Sequence, residues 1–99
     1  MVALPNQERT IWKATLHLLS ETQKIEVPHG AELLCAREQY GQICVWFRCD
    51  PSAPKEMRDI TIVGTGHPAP ADEGRYLGTA SLYGGNLMLH VFERVPPPF

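Results

Sequence analysis

The chain has 99 residues, a formal net charge of −2 and 43% hydrophobic residues. This length is typical of a single small domain with a modest core. A general nucleic-acid binder normally carries a basic excess, because neutralising phosphates supplies most of its affinity. The basic side chains here are scattered singly among acids. This distribution argues against broad DNA or RNA binding, but not against a local pocket for a small anion.

Cysteine usage and hydropathy bear on the compartment. Cys35, Cys44 and Cys49 each lie inside an apolar, strand-like run. A secreted domain of this size more often carries an even number of cysteines in disulfides, so we interpret these three as buried thiols in a reducing compartment. The sequence opens with no charged-then-apolar leader, and no apolar run approaches the roughly 18 residues of a membrane helix. We therefore expect no membrane association.

Alternating apolar and polar residues predict strands in the first third of the chain. In Thr10–Leu18, Trp12 and every second residue after it form an apolar face. A period of two is typical of a half-buried strand. Gln23–Val27 repeats the pattern, and the Pro-His-Gly segment at 28–30 ends it.

The clearest hairpin signal comes next. Leu33–Arg37 and Ile43–Phe47 flank a turn at Gln39–Gln42, in which Gly41 supplies the positive φ that tight hairpins need. The second arm is apolar on both faces. It is expected to lie centrally, covered from two sides or by a partner subunit, which makes a homo-oligomer plausible.

The second half of the chain continues with strands and turns. A strand is predicted at Arg58–Val63, and a last hairpin joins Tyr76–Leu82 to Leu87–Phe92 through a turn at Tyr83–Asn86. Proline-containing loops are predicted at 50–54 and 69–74. The only helical candidates are a short turn at Pro54–Arg58 and part of Met1–Glu8.

These elements predict an all-β domain, either a small antiparallel β-sandwich or a barrel of about seven strands. The β-domain is assigned to residues 10–95, between an N-terminal arm at 1–9 and a proline-rich tail at 96–99. The two-residue period is expected to place four side chains in one shared apolar interior: Trp12, Val45, Ile62 and Leu89.

The sequence lacks the residues that several common binding and catalytic sites require. Gly64-Thr65-Gly66 lacks the Lys-Ser/Thr pair of a phosphate loop and the third glycine of a dinucleotide fingerprint, and no helix is predicted behind it. The histidines and cysteines show no spacing typical of zinc ligands. A Cys–His nucleophilic pair would have to be assembled by the fold, and cysteines inside strands are usually inert. We expect no catalytic residue, no metal and no cofactor.

The most informative segment is the strand end at 64–68. Glycines there allow a close backbone approach to a ligand or an anion-binding nest of N–H groups, and a histidine adds a donor near neutral pH. Arg75 and Tyr76 follow the next loop and can return beside this strand end. The Arg75 guanidinium would offer a fork of donors, and the Tyr76 ring would offer a stacking face. The alternative interpretation is that the glycines relieve a bulge and His67-Pro68 ends the strand. The predicted ligand-binding residues are Gly64, Thr65, Gly66, His67, Arg75 and Tyr76.

Several segments taken together resemble a family of small phage and prophage proteins that carries only a domain-of-unknown-function label. The resemblance covers roughly residues 10–94. It rests on Ile25–Leu34, the Cys44-Val45-Trp46 strand, Gly64–Pro68, Tyr76–Thr79 and Gly84–Glu93, and the Gly-Thr-Gly-His-Pro element is its most distinctive part. It implies a phage-encoded protein acting in the host bacterial cytoplasm, and it carries over no catalytic residue.

Two functions from different classes follow. The first is a non-enzymatic binding protein that counteracts a bacterial defence system, by sequestering a small anionic nucleotide signal or by blocking a host protein. The alternative is a virion structural or assembly component that makes only subunit contacts. A third hypothesis, a small hydrolase or lyase using His67, requires turnover that disappears in His67→Ala.

Overall fold

A computed structural model describes residues 8–18, 21–69 and 74–94, and this part of the chain forms an all-β sandwich. The prediction of an all-β fold is confirmed, in its sandwich form. Seven strands lie within the described residues: β1 Thr10–Thr15, β2 Thr22–Pro28, β3 Glu32–Gln39, β4 Gln42–Cys49, β5 Lys55–Gly64, β6 Arg75–Leu82 and β7 Leu87–Glu93. A single 3₁₀ turn, Tyr83–Gly85, joins β6 to β7.

The strands form two antiparallel sheets. The first has the order β1-β4-β3, and the second has the order β2-β5-β7-β6. Strand β4 lies in the middle of the first sheet, as its apolar sequence predicts. Its inward residues, among them Val45, are fully buried against the second sheet. On the outward face Cys44 is also buried, and its Sγ lies 3.7 Å from Thr15 Oγ1 on β1.

Three of the four residues expected to share the interior do so. Val45, Ile62 and Leu89 belong to one buried cluster. The placement of Trp12 in the core is wrong, because its side chain remains 39% exposed. Strand β1 is the edge of its sheet, so its inward face is only partly covered by the other sheet. Lys55 Nζ lies 4.7 Å from the centroid of the Trp12 ring, a cation–π contact at this margin.

The expected helical turn at Pro54–Arg58 is also wrong, because β5 begins at Lys55. Lys55 pairs with Pro28, and Pro54 O accepts a hydrogen bond from His29 N (2.7 Å). Pairing with β2 thus overrides the local helix propensity of this segment. The other helical candidate, Met1–Glu8, lies almost entirely outside the described residues.

Close packing joins the two sheets along one side of the sandwich. A Cβ built on Gly78 of β6 would lie 2.2 Å from Ala36 O of β3. Each of these strands also has a register irregularity here, between Leu33 and Cys35 and between Tyr76 and Gly78. We call this side, where β3 meets β6, the seam. On the opposite side β1 and β2 are the outermost strands of their sheets.

Turns from both sheets meet at one end of the sandwich. Leu16, which follows β1, donates its N–H to Ile43 O at the start of β4 (2.8 Å). His17 N donates to Gln23 Oε1 and Gln23 Nε2 donates to His17 O, both at 2.9 Å. The start of β4 therefore lies beside the start of β2. The start of β2 pairs with the last part of β5, and the end of β5 pairs with the start of β7.

Three turns consequently share this end, which we call the turn end: Tyr40–Gly41, Thr65–Pro68 and Tyr83–Asn86. Strand β6 begins at the opposite end, together with the connections at 29–31 and 50–54. The Gly64–Pro68 segment therefore lies at the same end of the sandwich as two hairpin turns.

Candidate functional site

The Gly64–His67 segment is a tight turn that ends β5. His67 N donates to Gly64 O (3.0 Å), and Thr65 N donates to Met88 O (3.4 Å). Gly66 has a φ of +86°, a conformation that favours glycine. Its exposed N–H has no hydrogen-bond partner within the described part of the chain. The turn thus offers a ligand one backbone donor rather than a nest of several.

Gly64 does not relieve a β-bulge, which was the alternative interpretation of this glycine. The pairing of β5 with β7 runs without a register shift through Gly64 opposite Leu89. A Cβ on Gly64 would lie 3.1 Å from His67 Nδ1. The absence of a side chain allows the His67 ring to pack over the strand end, where it remains exposed.

A chain of three side-chain hydrogen bonds runs from this turn along the outer face of the second sheet. Thr65 Oγ1 lies 2.7 Å from His90 Nε2, and His90 Nδ1 lies 2.9 Å from Thr79 Oγ1. Thr79 Oγ1 lies 2.5 Å from the hydroxyl oxygen of Tyr76. This hydroxyl–imidazole relay connects two predicted site residues, Thr65 and Tyr76, through two residues that were not predicted.

The His90 tautomer sets the direction in which the hydroxyl groups of the relay donate their hydrogen bonds. A neutral imidazole has one donor nitrogen and one acceptor nitrogen. If Nε2 carries the proton, it donates to Thr65, and the Thr65 hydroxyl can then donate to a ligand. If Nδ1 carries the proton, the chain reverses and the Tyr76 hydroxyl becomes the outward donor. The two exposed ends of the relay therefore offer complementary hydrogen-bonding groups.

His90 and Thr79 leave a weak signal in the sequence. Counting back from the Tyr83–Asn86 turn places Leu82 opposite Leu87, and three residues further places Thr79 opposite His90. The pairing was therefore accessible from the hairpin. The contact with Thr65 was not, because it depends on β5 lying on the other side of β7.

The structure separates Arg75 from the turn. Arg75 pairs with Glu93, whereas Gly64 pairs with Leu89, four residues away along β7. At about 3.3 Å per residue this is about 13 Å along the strand, besides the spacing between strands. Neighbouring residues of a strand face opposite sides, so Arg75 does not share the outer face with Tyr76. The sequence expectation that Arg75 returns beside the turn is not met.

Tyr76 forms an aromatic pair on the outer face. Its ring centroid lies 5.5 Å from that of Phe92, at an interplanar angle of 57°. The Tyr76 side chain is exposed, and Phe92 is half-buried beside it. The pair therefore presents an apolar ring next to the polar end of the relay.

A groove of about 290 Å³ lies between the start of β2 and the His67 turn. Its lining includes Glu21, Thr22, Thr61 and His67. Thr61 is only 2% exposed, and its Oγ1 has no hydrogen-bond partner among the described residues. A buried hydroxyl without a partner costs about 1–3 kcal/mol, so this side chain has unused hydrogen-bonding capacity beside the predicted site.

Two exposed tyrosines occupy the two hairpin turns at the turn end. Tyr40 has a φ of 53° and is 92% exposed, and Tyr83 has a φ of 52° and is 72% exposed. They are the only described non-glycine residues with positive φ. Hairpin positions of this kind normally take Asn, Asp or Gly. A bulky residue in a strained conformation motivates a functional hypothesis, since strain is often retained where it positions a recognition group.

Other chemistry-bearing groups are less suited to a site. Cys35, Cys44 and Cys49 are free thiols, and burial raises the pKa of the Cys49 thiol, which keeps it protonated. Within residues 8–18, 21–69 and 74–94, no three potential metal ligands lie close enough to hold an ion. The same residues include no helix of a length and hydropathy suited to crossing a membrane.

Comparison with known protein families gives one match. Residues 7–98 match a family described as a domain of unknown function, DUF7352. The chain belongs to this family. The prediction that the chain belongs to a family with a domain-of-unknown-function label is confirmed, and the matched residues, 7–98, exceed the predicted span of 10–94. Comparisons with curated proteins and with solved structures give no match for this DUF7352 chain.

Proposed function

We propose that this DUF7352 protein is a non-enzymatic binding protein that blocks a host protein with the turn end of its sandwich. The observation that carries the proposal is the pair of exposed tyrosines, Tyr40 and Tyr83, held at positive φ at the same end of the sandwich as the Thr65–Pro68 turn.

Physical reasons favour a protein partner for this end. Tyrosine supplies a large contact area with only two side-chain torsions to order, and it is enriched in protein interfaces and antibody loops. The turns around the tyrosines are rich in small and polar residues: Gln-Tyr-Gly-Gln at 39–42 and Tyr-Gly-Gly-Asn at 83–86. Both turns are held by strands of the sandwich, so little ordering is needed on binding.

The biological role rests on the resemblance to phage and prophage proteins. A small phage-encoded protein without a catalytic constellation would act in the host cytoplasm by occupying a surface of a defence component. This role supports a binding assay in infected bacteria rather than a search for turnover.

Affinity capture with matched variants tests the proposal. The bait is the intact chain, as wild type, as Tyr40→Asn/Tyr83→Asn, and as Arg75→Ala, which changes the opposite end. Asn suits positive φ, so the double variant keeps the turns and removes only the rings. We expect one host protein to be captured by wild type and Arg75→Ala and lost with the double variant. Equal capture by all three baits would refute a site at the turn end.

The relay favours a second candidate, a small anionic nucleotide bound on the outer face. Tyr76 and Phe92 offer a surface on which a base can stack, and Thr65 and Gly66 N–H offer donors at the turn. Isothermal titration with cyclic nucleotides and ADP-ribose derivatives tests it. Binding should weaken at least about tenfold in Thr65→Val and persist in Thr65→Ser. No heat with any of these ligands would remove this candidate.

The structural alternative has its own test. If the protein is a virion component, mass spectrometry of purified particles will detect it in stoichiometric amounts. A protein that blocks a host factor should be absent from the particles.

A further inference from the structure

Strand β2 leaves one edge of its backbone unpaired. Glu21 O accepts from Ile62 N (2.7 Å), and Pro54 O accepts from His29 N (2.7 Å). These bonds fix the parity of the ladder, because hydrogen-bonded pairs alternate in an antiparallel pair. The odd residues of β2 therefore direct their N–H and C=O groups to β5, and the even residues direct theirs away from it.

The outward groups belong to Thr22, Lys24 and Glu26. All three residues are exposed, and within the described part of the chain no group bonds their outward N–H and C=O. Their side chains lie on the outer face of the sheet, since Ile25 and Val27 point into the core. The edge thus has both unpaired backbone groups and a row of polar side chains.

Charges along this edge select one mode of self-pairing. An antiparallel pair of β2 strands centred on Ile25 places Lys24 opposite Glu26 twice, once on each side of the symmetry axis. Centring the pair on Lys24 or on Glu26 instead brings like charges together. All three arrangements pair outward-bonding residues with each other, so the parity permits each of them and the charges alone favour the first.

We propose that two copies of this chain associate through β2 in this antiparallel register. The association joins the two four-stranded sheets edge to edge, with Lys24 and Glu26 exchanging backbone hydrogen bonds and forming two ion pairs across the interface. Lys24 then lies between Asp59 of its own chain, 2.5 Å away, and Glu26 of the second copy.

The other edges are less suited to this association. β3 and β6 face each other at the seam. β1 has a lysine, Lys13, but no acidic residue in Thr10–Thr15, so no register of β1 with itself forms an ion pair. A lysine on an edge strand normally discourages pairing. In β2, Glu26 lies two residues after Lys24, so the two charges can pair with those of a second β2 strand.

Charge reversal tests the register directly. Sedimentation or light scattering of the full chain should show a dimer. Lys24→Glu or Glu26→Lys alone should weaken dimerisation about tenfold or more, because each puts like charges opposite one another twice. The double variant Lys24→Glu/Glu26→Lys restores opposite charges and should recover most of the affinity. Lys13→Glu, which changes the net charge equally on β1, should leave the dimer unchanged.

Amide exchange gives an independent readout. In the dimer the Lys24 and Glu26 amides should be protected, and in either single variant they should exchange freely. The Ile25 and Val27 amides bond to β5 and should stay protected in both, which also reports that the variants are folded. A chain that is monomeric at every soluble concentration would overturn the proposal. So would a double variant that dimerises no better than the single ones.

Discussion

The two sides of the sandwich manage their sheet edges in different ways. At the seam, β3 and β6 approach so closely that a Cβ on Gly78 would lie 2.2 Å from Ala36 O. On the open side, β1 and β2 keep exposed outer edges with charged residues. An edge strand can be covered by another element, or it can carry charges that restrict its pairing. The seam covers β3 and β6, whereas the charges of β2 favour pairing with a second copy in one register. We infer that the seam contributes mainly to stability and the open side mainly to association.

The largest expected effect comes from breaking the seam. Gly78→Ala would place a Cβ 2.2 Å from Ala36 O, and this atom cannot move without moving strand β3. We expect a loss of about 3 kcal/mol or more in the free energy of unfolding, the upper range for overpacking. Urea unfolding followed by tryptophan fluorescence measures it.

Gly66→Ala is the matched control for that variant. Gly66 has a φ of +86° but open space around a Cβ. It should therefore lose only the roughly 1–2 kcal/mol of a left-handed residue. Gly78 also has a positive φ, +156°. Equal losses in the two variants would show that this backbone conformation, and not the close approach of β3 to β6, makes Gly78 necessary.

A buried ion pair joins the two inner strands of the second sheet, β5 and β7. Arg58 of β5 donates from Nε to Glu93 Oε2 (2.5 Å) and from Nη1 to Ala31 O (2.9 Å), and Glu93 is only 7% exposed. Glu93→Gln leaves the guanidinium without its carboxylate. We expect a loss of about 2 kcal/mol, below the usual 3–5 for a buried pair because Arg58 is partly exposed.

The control for this prediction is Glu32→Gln. Glu32 forms an exposed ion pair with Arg48 (3.2 Å), which should contribute less than about 0.5 kcal/mol. If Glu93→Gln costs no more than Glu32→Gln in thermal or urea unfolding, the Arg58 pair does not anchor β5.

Acid should remove the stabilisation that Glu56 gives to the connection after β2. Hydrogen bonds from Gly30 N–H (3.1 Å) and His29 (3.0 Å), with Arg58 nearby, lower the pKa of Glu56 below its usual value. A lowered folded-state pKa contributes stability that is present above the unfolded pKa of about 4.3 and is lost as the pH falls through the folded pKa. The melting temperature should therefore fall less steeply below about pH 5 in Glu56→Gln than in wild type. Parallel curves would exclude Glu56 as an acid-sensitive group.

The strands and turns that the sequence predicted well are those with local signals. The alternation in Gln23–Val27 and the glycine turns of the two hairpins depend on neighbours only a few residues apart. The first residues of β5 were missed because Lys55–Met57 is a strand only when β2 pairs with it. Trp12 was misplaced for a similar reason, since exposure at a sheet edge depends on the order of the strands.

In the candidate site, too, the features with local sequence signals were predicted and those that depend on strand order were not. The Gly64–His67 turn was predicted from its own residues. The distance of Arg75 follows from β5 and β6 running parallel on either side of β7, which no local pattern reports. The relay through His90 requires three strands and a turn to meet, so a single sequence offers only its Thr79 half.

The smallest expected effect is a gain, and it concerns the hairpin that leads into the seam. Tyr40 joins β3 to β4 at a φ of 53°, with almost its whole side chain in solvent. Tyr40→Asn relieves the strain without removing a buried contact, so it should stabilise the domain by about 0.5 kcal/mol. A loss of stability would mean that the Tyr40 ring packs on the domain in solution. A gain in stability together with lost capture of the host protein would mean that the strained tyrosine is retained for recognition.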